Sequence, residues 1–411
     1  MKIINLSQTV YRNYSNIHSR RNFGQTIEYS LLNANFNRKK LFLGLVDESD
    51  DIHAAALILI HSVSPTILEA IAPNGFLIDY ADFDLVKTFT QELISYLKKE
   101  KVTFLITNPM FKYKEYNKNN NLIHDNEAIL NNLYNLNYKS LGYYSDFERY
   151  DVIIENSNST NDIYLNFNRN TKRNIKEGIY YEISLHKGNI NDIENVYNII
   201  KKKTKKKLSY YQNLMTTYNN IDNKMEIFYA KLNPHKFLVN VQKLYEKEKE
   251  KNEKIHIYFN DHLGNITDRM LNKKINSDKT IEKLNQELKY AISLNQKYNE
   301  DIIVGTSIVI KNNHEIYFLI DGYKEEFRRI HSTHILKWAI IKKYFELGYR
   351  IFNLGEIHKD YSDKNNKYHS QYLYKIGFGG NVVEYSPNLL LIINKPMYNF
   401  YTKIKKKKNK L

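Results

Sequence analysis

The sequence predicts an α+β protein made of two similar blocks, with a long helical hairpin inserted into the second. Three observations carry this. The order strand pair, long helix, short apolar strand occurs at residues 41–108 and again at 302–356. Between them, from about Pro234 to Glu300, the composition shifts to Lys, Glu, Asn and Leu with almost no Gly or Pro. At 411 residues the chain is also too long for one ordinary core. The two blocks share a pattern but no clear residue identity, so a repeat rests on the pattern alone.

In the first block, KKLFLGLVD and IHAAALILIHSV are apolar runs separated by the acidic turn DESDD, which reads as a hairpin. DLVKTFTQELISYLKKEK follows with apolar Leu85, Val86, Phe89, Leu93 and Leu97 at helical spacing. Asp82 or Asp84 supplies its N-cap and lysines fill its last turn. VTFLITNPMF is a strand that stops at Pro109, and NEAILNNLYNLNYKSLGY reads as a helix ending near Gly142. In the hairpin, Ile281, Leu284, Leu288 and Ala291 step by three and four, with a weaker seam at Leu238, Val241 and Tyr245. Its turn falls near Gly264 or near Asn276. In the second block, DIIVGTSIVIKNNHEIYFLIDG gives two strands around KNNH. EEFRRIHSTHILKWAIIKKYFELGY gives a helix carrying Ile335, Ala339 and Ile340 and ending at Gly348. RIFNLGEI is a strand, and YLYKIGFGGNVVEYSP begins another.

The formal net charge is +16, a surplus that favours polyanionic partners: nucleic acid, nucleotide phosphates or an anionic membrane face. The 35 tyrosines against one Trp, with abundant Lys and Asn, point to codon bias, so single residues of these types carry little weight. The absence of cysteine excludes disulfides, thiolate metal sites and cysteine nucleophiles. No secretory leader is visible at the N-terminus, and no run approaches the roughly 20 apolar residues of a spanning helix. A cytoplasmic protein is expected, with peripheral contact at the inner membrane face allowed by the basic tail KIKKKKNK (403–410), which is expected to be disordered.

Phosphate-loop, dinucleotide, nucleophile-elbow and zinc-protease motifs are all missing. His331 and His334 lie three apart on a helix without a nearby carboxylate, which reads as a solvated face rather than a metal site. Arg169, Lys172, Arg173 and Lys176 share one helix face with no acid among them, a pattern suited to phosphates. KKKTKKKLSYY, 201–211, adds Tyr210 and Tyr211 for stacking. YKIGFGG holds three of the chain's 14 glycines. NVVEY follows it rather than a helix, so the glycines read as a bend or bulge in a strand and not as a phosphate cradle. Spacing alone makes Lys375 a snorkelling surface lysine; the alternative is a cation placed where negative charge develops.

The order of these segments resembles the Fem family (FemABX) of non-ribosomal peptidyltransferases over nearly the whole chain. FGQT with Tyr29, GFLIDY at 75–80, NRNTKRNIKEG, the Lys/Glu-rich hairpin, YKIGFGGNVVEY and the closing INKPMYNFYTKIKKKK carry the likeness. The resemblance implies two subdomains of acetyltransferase (GNAT-like) fold, at 1–145 and at 146–233 with 301–395. The hairpin at 234–300 is inserted in the second, and 396–411 form a basic tail. It implies transfer of an amino acid from aminoacyl-tRNA, as co-substrate and with no cofactor or metal, to a lipid-linked or nucleotide-linked peptidoglycan precursor. The chemistry implied is aminolysis of an ester by the amine of the stem peptide. The family's Phe-Lys pair maps onto Tyr374 and Lys375, implying a catalytic Lys375 that stabilises the oxyanion or places the ribose end. Lys207, Tyr210 and Tyr211 match positions that hold the precursor, and Arg169, Lys172, Arg173 and Lys176 are the tRNA-binding candidates. Three departures stand out. Asn74 replaces a frequent Arg, and Asn108 replaces the Asp of a strand-end Asp-Pro, which removes a general base there. Leu31, Leu32 and Asn33 stand where a basic residue is usual, with the first bases at Arg38 to Lys40.

Two rival readings belong to other classes. One is a non-catalytic RNA- or membrane-binding protein on the same scaffold. The other is an acyl-CoA N-acyltransferase, which would want a glycine-rich pyrophosphate loop before a helix; none is present.

Overall fold

The computed structural model describes the chain apart from residues 20, 33–38, 146–147, 156, 223 and 409–411. Asn33, Arg38 and the end of the basic tail therefore lie outside the described residues. The first block opens with β1 (Lys2–Asn5), α1 (Gln8–Ile17) and α2 (Ile27–Leu32). The expected hairpin is β2 (Lys39–Val46) and β3 (Ile52–Ser64), and β4 (Ile67–Ala72) extends it into a meander. α3 (Phe83–Lys99) then returns the chain to β5 (Phe104–Thr107), which pairs parallel to β4. Asp82 is the cap: its Oδ1 accepts from Leu85 N at 3.0 Å. Val86, Phe89, Leu93 and Leu97 face the sheet as their spacing requires, against Ala70, Ala72 and Leu105. Each large side chain so buried contributes about 1.5–3 kcal/mol.

β6 (Lys112–Tyr116), β7 (Leu122–Asp125), α4 (Glu127–Asn135) and β8 (Tyr138–Gly142) follow. The helix expected to run to Gly142 thus stops early. Asn137 turns at φ +70, and the residues after it pair with a strand from the far end of the chain, a contact that no local pattern announces.

The next segment contains β9 (Tyr150–Ile154), α5 (Thr160–Asn166), α6 (Arg169–Tyr180), β10 (Ser184–Lys187), α7 (Ile193–Ile200), α8 (Leu208–Asp222) and β11 (Met225–Leu232). The hairpin is α9 (Pro234–Asp261) and α10 (Asp268–Lys297), joined through Leu263–Asn265, so the turn is the one at Gly264. At its base Phe237, Val241, Ala291 and Leu294 enter the core of the second block. Farther out, polar pairs hold it: Asn252 Nδ2 and His256 Nε2 lie 2.8 and 2.6 Å from Asp278 Oδ1. β12 (Ile302–Asn312), β13 (Glu315–Gly322), α11 (Ser332–Glu346) and β14 (Ile351–Ile357) repeat the meander, crossover helix and parallel strand. The chain ends with α12 (His369–Ile376), β15 (Asn381–Tyr385), β16 (Asn388–Ile392) and α13 (Lys395–Lys408).

Two sheets result, of order β1-β2-β3-β4-β5-β16-β8 and β10-β11-β12-β13-β14-β9-β15-β6-β7. Each contains one parallel pair, β4–β5 or β13–β14, bridged by its helix. This is the acetyltransferase-type arrangement twice over. The chain also trades strands: β6 and β7 join the second sheet, and β16 comes back to complete the first. Between the halves Phe23 stacks on Tyr218 at 5.4 Å, and Lys224 pairs with Glu28 at 3.0 Å in a buried ion pair.

The closing basic segment is not the disordered tail expected from its charge. It is helical to Lys408, because Met397, Tyr398 and Tyr401 dock on Ile67, Phe104 and Leu390 and anchor its first turns.

Candidate active site

Tyr374 and Lys375 lie in the last turn of α12, not on a strand. The aromatics at 372 and 374 read as strand alternation, but Tyr372 and Lys375 are the buried positions, three apart, and Leu373 faces solvent. The glycines correspondingly end a helix. Gly379 N closes the last turn onto Ile376 O at 2.9 Å, with Gly379 in the left-handed region at φ +77. A Cβ there would meet Asn166 O at 2.7 Å. We expect Gly379→Ala to cost more than about 1 kcal/mol, measured as a lowered urea midpoint.

Lys375 is buried, 9% exposed, and is no surface lysine. Its Nζ donates to the main-chain oxygen of Glu356 at 2.7 Å, beyond Tyr317 and Asn353 where the β13–β14 pairing stops. Carboxylates ring it. Asp151 of β9 accepts from Asn353 Nδ2 at 2.8 Å and from the Tyr385 hydroxyl at 3.3 Å. Asp321 of β13 pairs with the fully buried Lys337 of α11 at 2.7 Å. Burial, and then the Lys337 charge, pull Lys375 down to about 8, against Asp151, Asp321 and Glu356. Burial pushes Asp151 above the ordinary carboxylate range. The Tyr374 hydroxyl donates to Thr333 O at 3.2 Å, and its ring stands edge-on to His334.

The precursor-holding candidates divide. Tyr210 is half-buried beside the site: burial first, then neighbouring charges that include Glu356, push it up to about 12. Tyr211 turns into the core and donates to Thr204 Oγ1 at 2.9 Å. Lys207 is exposed; of the two neighbours it is Lys206 whose charge acts on Glu356, after that of Lys375, and whose Nζ lies 5.0 Å over the Tyr210 ring. The basic helix is α6. Arg169, Arg173 and Lys176 are exposed, whereas Lys172 bends back to donate to Leu165 O at 2.8 Å. His334 is not on a solvated face: burial, then the His331 charge, bring it down to about 4, and its Nε2 lies 3.3 Å from Asn174 Nδ2. Among the described residues no group of three His, Cys, Asp or Glu could hold a metal ion. No described helix is long and apolar enough to cross a membrane. A separate cleft of about 610 Å³ opens on the first sheet between Tyr29, Asn108, Tyr144 and Tyr398; it includes neither Lys375 nor Glu356.

The FemAB family model matches residues 6–406. The chain belongs to the FemAB family. Similar FemAB relatives include aminoacyltransferase FemA of Staphylococcus epidermidis, 23% identical over 99% of this chain and all of the relative. Aminoacyltransferase FemA of Staphylococcus aureus is 22% identical over the full length of both. A crystal structure of FemX matches with a TM-score of 0.72 at 15% identity, over 97% of this chain and 99% of that one, and shares the fold.

In this FemAB protein, sequence reasoning missed Asp151, Asp321, Lys337 and Glu356. A signal was available. Each carboxylate interrupts an apolar strand, in RYDVII, FLIDG and NLGEI, where an acid needs a partner or a purpose. FGQT, by contrast, is structural. Gln25 is buried, donates to Pro73 O at 2.7 Å and accepts from Leu57 N at 2.7 Å, bracing the first sheet.

Proposed function

We propose that this protein transfers an amino acid from aminoacyl-tRNA to the amine of a peptidoglycan-precursor stem peptide, by aminolysis of the ester. The observation that carries the reading is the buried Lys375 cation, fixed on the backbone carbonyl of Glu356, whose own side chain reaches solvent. A cation held rigidly in a low-dielectric site costs no reorganisation when an ester carbonyl becomes an oxyanion. An aminoacyl ester is already activated, so positioning and oxyanion stabilisation suffice, and the reaction needs no cofactor beyond the charged tRNA. Tyr374 packs beside Lys375 and positions it. Tyr210 offers an aromatic face to the precursor, with Lys207 at the rim and Tyr211 setting its neighbour's orientation. That relatives bear the name aminoacyltransferase FemA supports the class of reaction. In this reading the protein works in the cytoplasm. On α13, exposed Phe400 and Ile404 lie near Lys403 and Lys405, a pairing suited to the anionic face where a lipid-linked precursor resides.

The test is incubation with a pool of charged tRNAs and with nucleotide-linked and lipid-linked muropeptide precursors, followed by mass spectrometry of the precursor. A precursor heavier by one or more amino-acid residues is expected; no transfer from any aminoacyl-tRNA sinks the proposal. The exposed bases of α6 take the tRNA backbone. Changing Arg169, Arg173 and Lys176 to Gln should weaken tRNA binding and lower the slope of log affinity against log salt by about 2–3. An unchanged slope would leave α6 a solvated face.

A further inference from the structure

The proposed reaction needs a proton acceptor, because an amine that has attacked an ester carbonyl carries one proton too many. Asn108, at the strand end where an Asp would serve, cannot supply one. Its side chain is tied to Asn74, accepting from Asn74 N at 2.7 Å and donating to Asn74 Oδ1 at 3.1 Å. An acid stands at the Lys375 site instead, and the backbone is shaped to present it. β14 pairs with β9 at Asn353↔Ile153 and next at Glu356↔Asp151, so β14 carries one extra residue. Gly355 sits in this bulge at φ +84, its amide held by Asn353 Oδ1 at 2.8 Å. A Cβ on Gly355 would lie 3.1 Å from Phe318 O and 3.2 Å from Lys375 Nζ, so the bulge is a glycine's. Such a bulge re-aims the residue that follows it. That residue is Glu356: its main-chain oxygen holds Lys375, and its side chain remains open to solvent.

Resting on the transfer reaction above, we propose that Glu356 is its general base, taking the proton from the attacking amine and returning it to the departing ribose oxygen. The amine nitrogen bonds to the ester carbonyl carbon, and the carbonyl electron pair moves to oxygen beside the Lys375 cation. One N–H proton passes to the Glu356 carboxylate. The tetrahedral centre then collapses, the carbon–oxygen bond to ribose breaks, and that oxygen takes the proton from Glu356. Amide and free ribose hydroxyl result, with Glu356 restored as carboxylate. The carbonyl that fixes the oxyanion cation and the carboxylate that acts as base thus belong to one residue of β14.

The surroundings suit this work. Glu356 reaches solvent yet is enclosed by protein on most sides. That enclosure, then the Asp151 charge, push it up to about 7, with Glu148 adding to the rise and Lys375 and Lys206 opposing it. Tyr317 and Glu315 on β13, Tyr385 on β15 and Tyr210 on α8 are further titratable groups nearby, with Asp321 and Lys337 acting on Lys375. Transfer should therefore rise with pH as Glu356 ionises near 7 and fall as Lys375 loses its proton near 8. The two breaks belong to the coupled set rather than to either residue alone.

The test is Glu356→Gln and Glu356→Asp in the full chain, with a charged-tRNA pool as donor and a nucleotide-linked muropeptide as acceptor. E356Q should lower the single-turnover rate about 100-fold at pH 7.5 and abolish the break near pH 7, and E356D should recover part of the rate. Hydroxylamine, which is neutral at this pH and needs little base, should still cleave the donor ester in E356Q at close to the wild-type enzyme rate. Three results overturn the role: full E356Q activity with an unchanged pH profile, equal loss with both nucleophiles, or no recovery in E356D. Wild-type protein that transfers nothing from any charged tRNA overturns the underlying reaction instead, so the two failures are distinguishable.

Discussion

Lys375→Ala should lower the single-turnover rate of transfer by about 100- to 1000-fold, the loss typical when one oxyanion partner is removed. The prediction has a specific physical basis. Lys375 Nζ is held at 2.7 Å from Glu356 O and balanced by Asp151, Asp321 and Glu356, so the cation is fixed before substrate arrives. Lys375→Met separates charge from packing, since it keeps most of the volume and loses the cation. Both variants should fail equally. Folding should survive. The unpaired Glu356 oxygen costs about 1–3 kcal/mol, and release from burying a cation offsets part of that. Far-ultraviolet circular dichroism and urea midpoints check the fold, and product mass checks the rate. Turnover unchanged in Lys375→Met would remove the cation from the mechanism.

Lys337→Met is expected to give the largest loss of stability, about 3–5 kcal/mol, because it strands a buried carboxylate. Lys337 is fully buried, and its Nζ lies 2.7 Å from Asp321 Oδ2 and 3.7 Å over the Phe318 ring. Burial alone would push the Asp321 pKa up; the Lys337 charge and the Ser307 hydroxyl at 2.7 Å reverse that and hold it below the ordinary value. A depressed carboxyl stabilises the fold above its unfolded pKa, about 3.9, and that share is lost as pH falls through the folded value. In Lys337→Met the sign inverts: Asp321 is raised, and the variant loses stability as pH rises. The gap between wild type and variant should therefore shrink below about pH 4. Lys337→Met with Asp321→Asn should recover most of the loss at neutral pH. Chemical denaturation at pH 3.5 and 7 decides; a gap that does not change with pH would mean packing, not charge, is lost.

The parts of the fold legible in the sequence are those whose patterns are local. β2, β3, β12 and β13 are apolar runs beside polar turns, α3 shows its buried face at helical spacing, and the hairpin shows its composition. β8 and α12 were not legible. β8 is a strand because β16, some 250 residues later in the chain, lies beside it. In α12 the residues at 372, 374, 376 and 378 alternate like a strand, yet the packing of Tyr372 and Lys375 over β14 selects the helix. Spacing made Lys375 a surface lysine, which its burial corrects; the catalytic reading came from the family resemblance alone. The acids around it escaped notice because each lies on a different strand, and only sheet pairing brings β9, β13 and β14 together.

The strand exchange between the sheets also has a consequence for synthesis on the ribosome. β5 is made early, yet its neighbour β16 lies roughly 300 residues downstream, on the order of half a minute later at typical translation rates. Throughout that interval the nascent first sheet has an unsatisfied edge at β5, the kind of surface that chaperones cover. Threading β16 between β5 and β8 is thus a late, sealing step. Until it occurs, β5 and β8 are not joined and the end of the chain is not locked into the first sheet; afterwards the two halves cannot part without tearing a strand from a sheet interior.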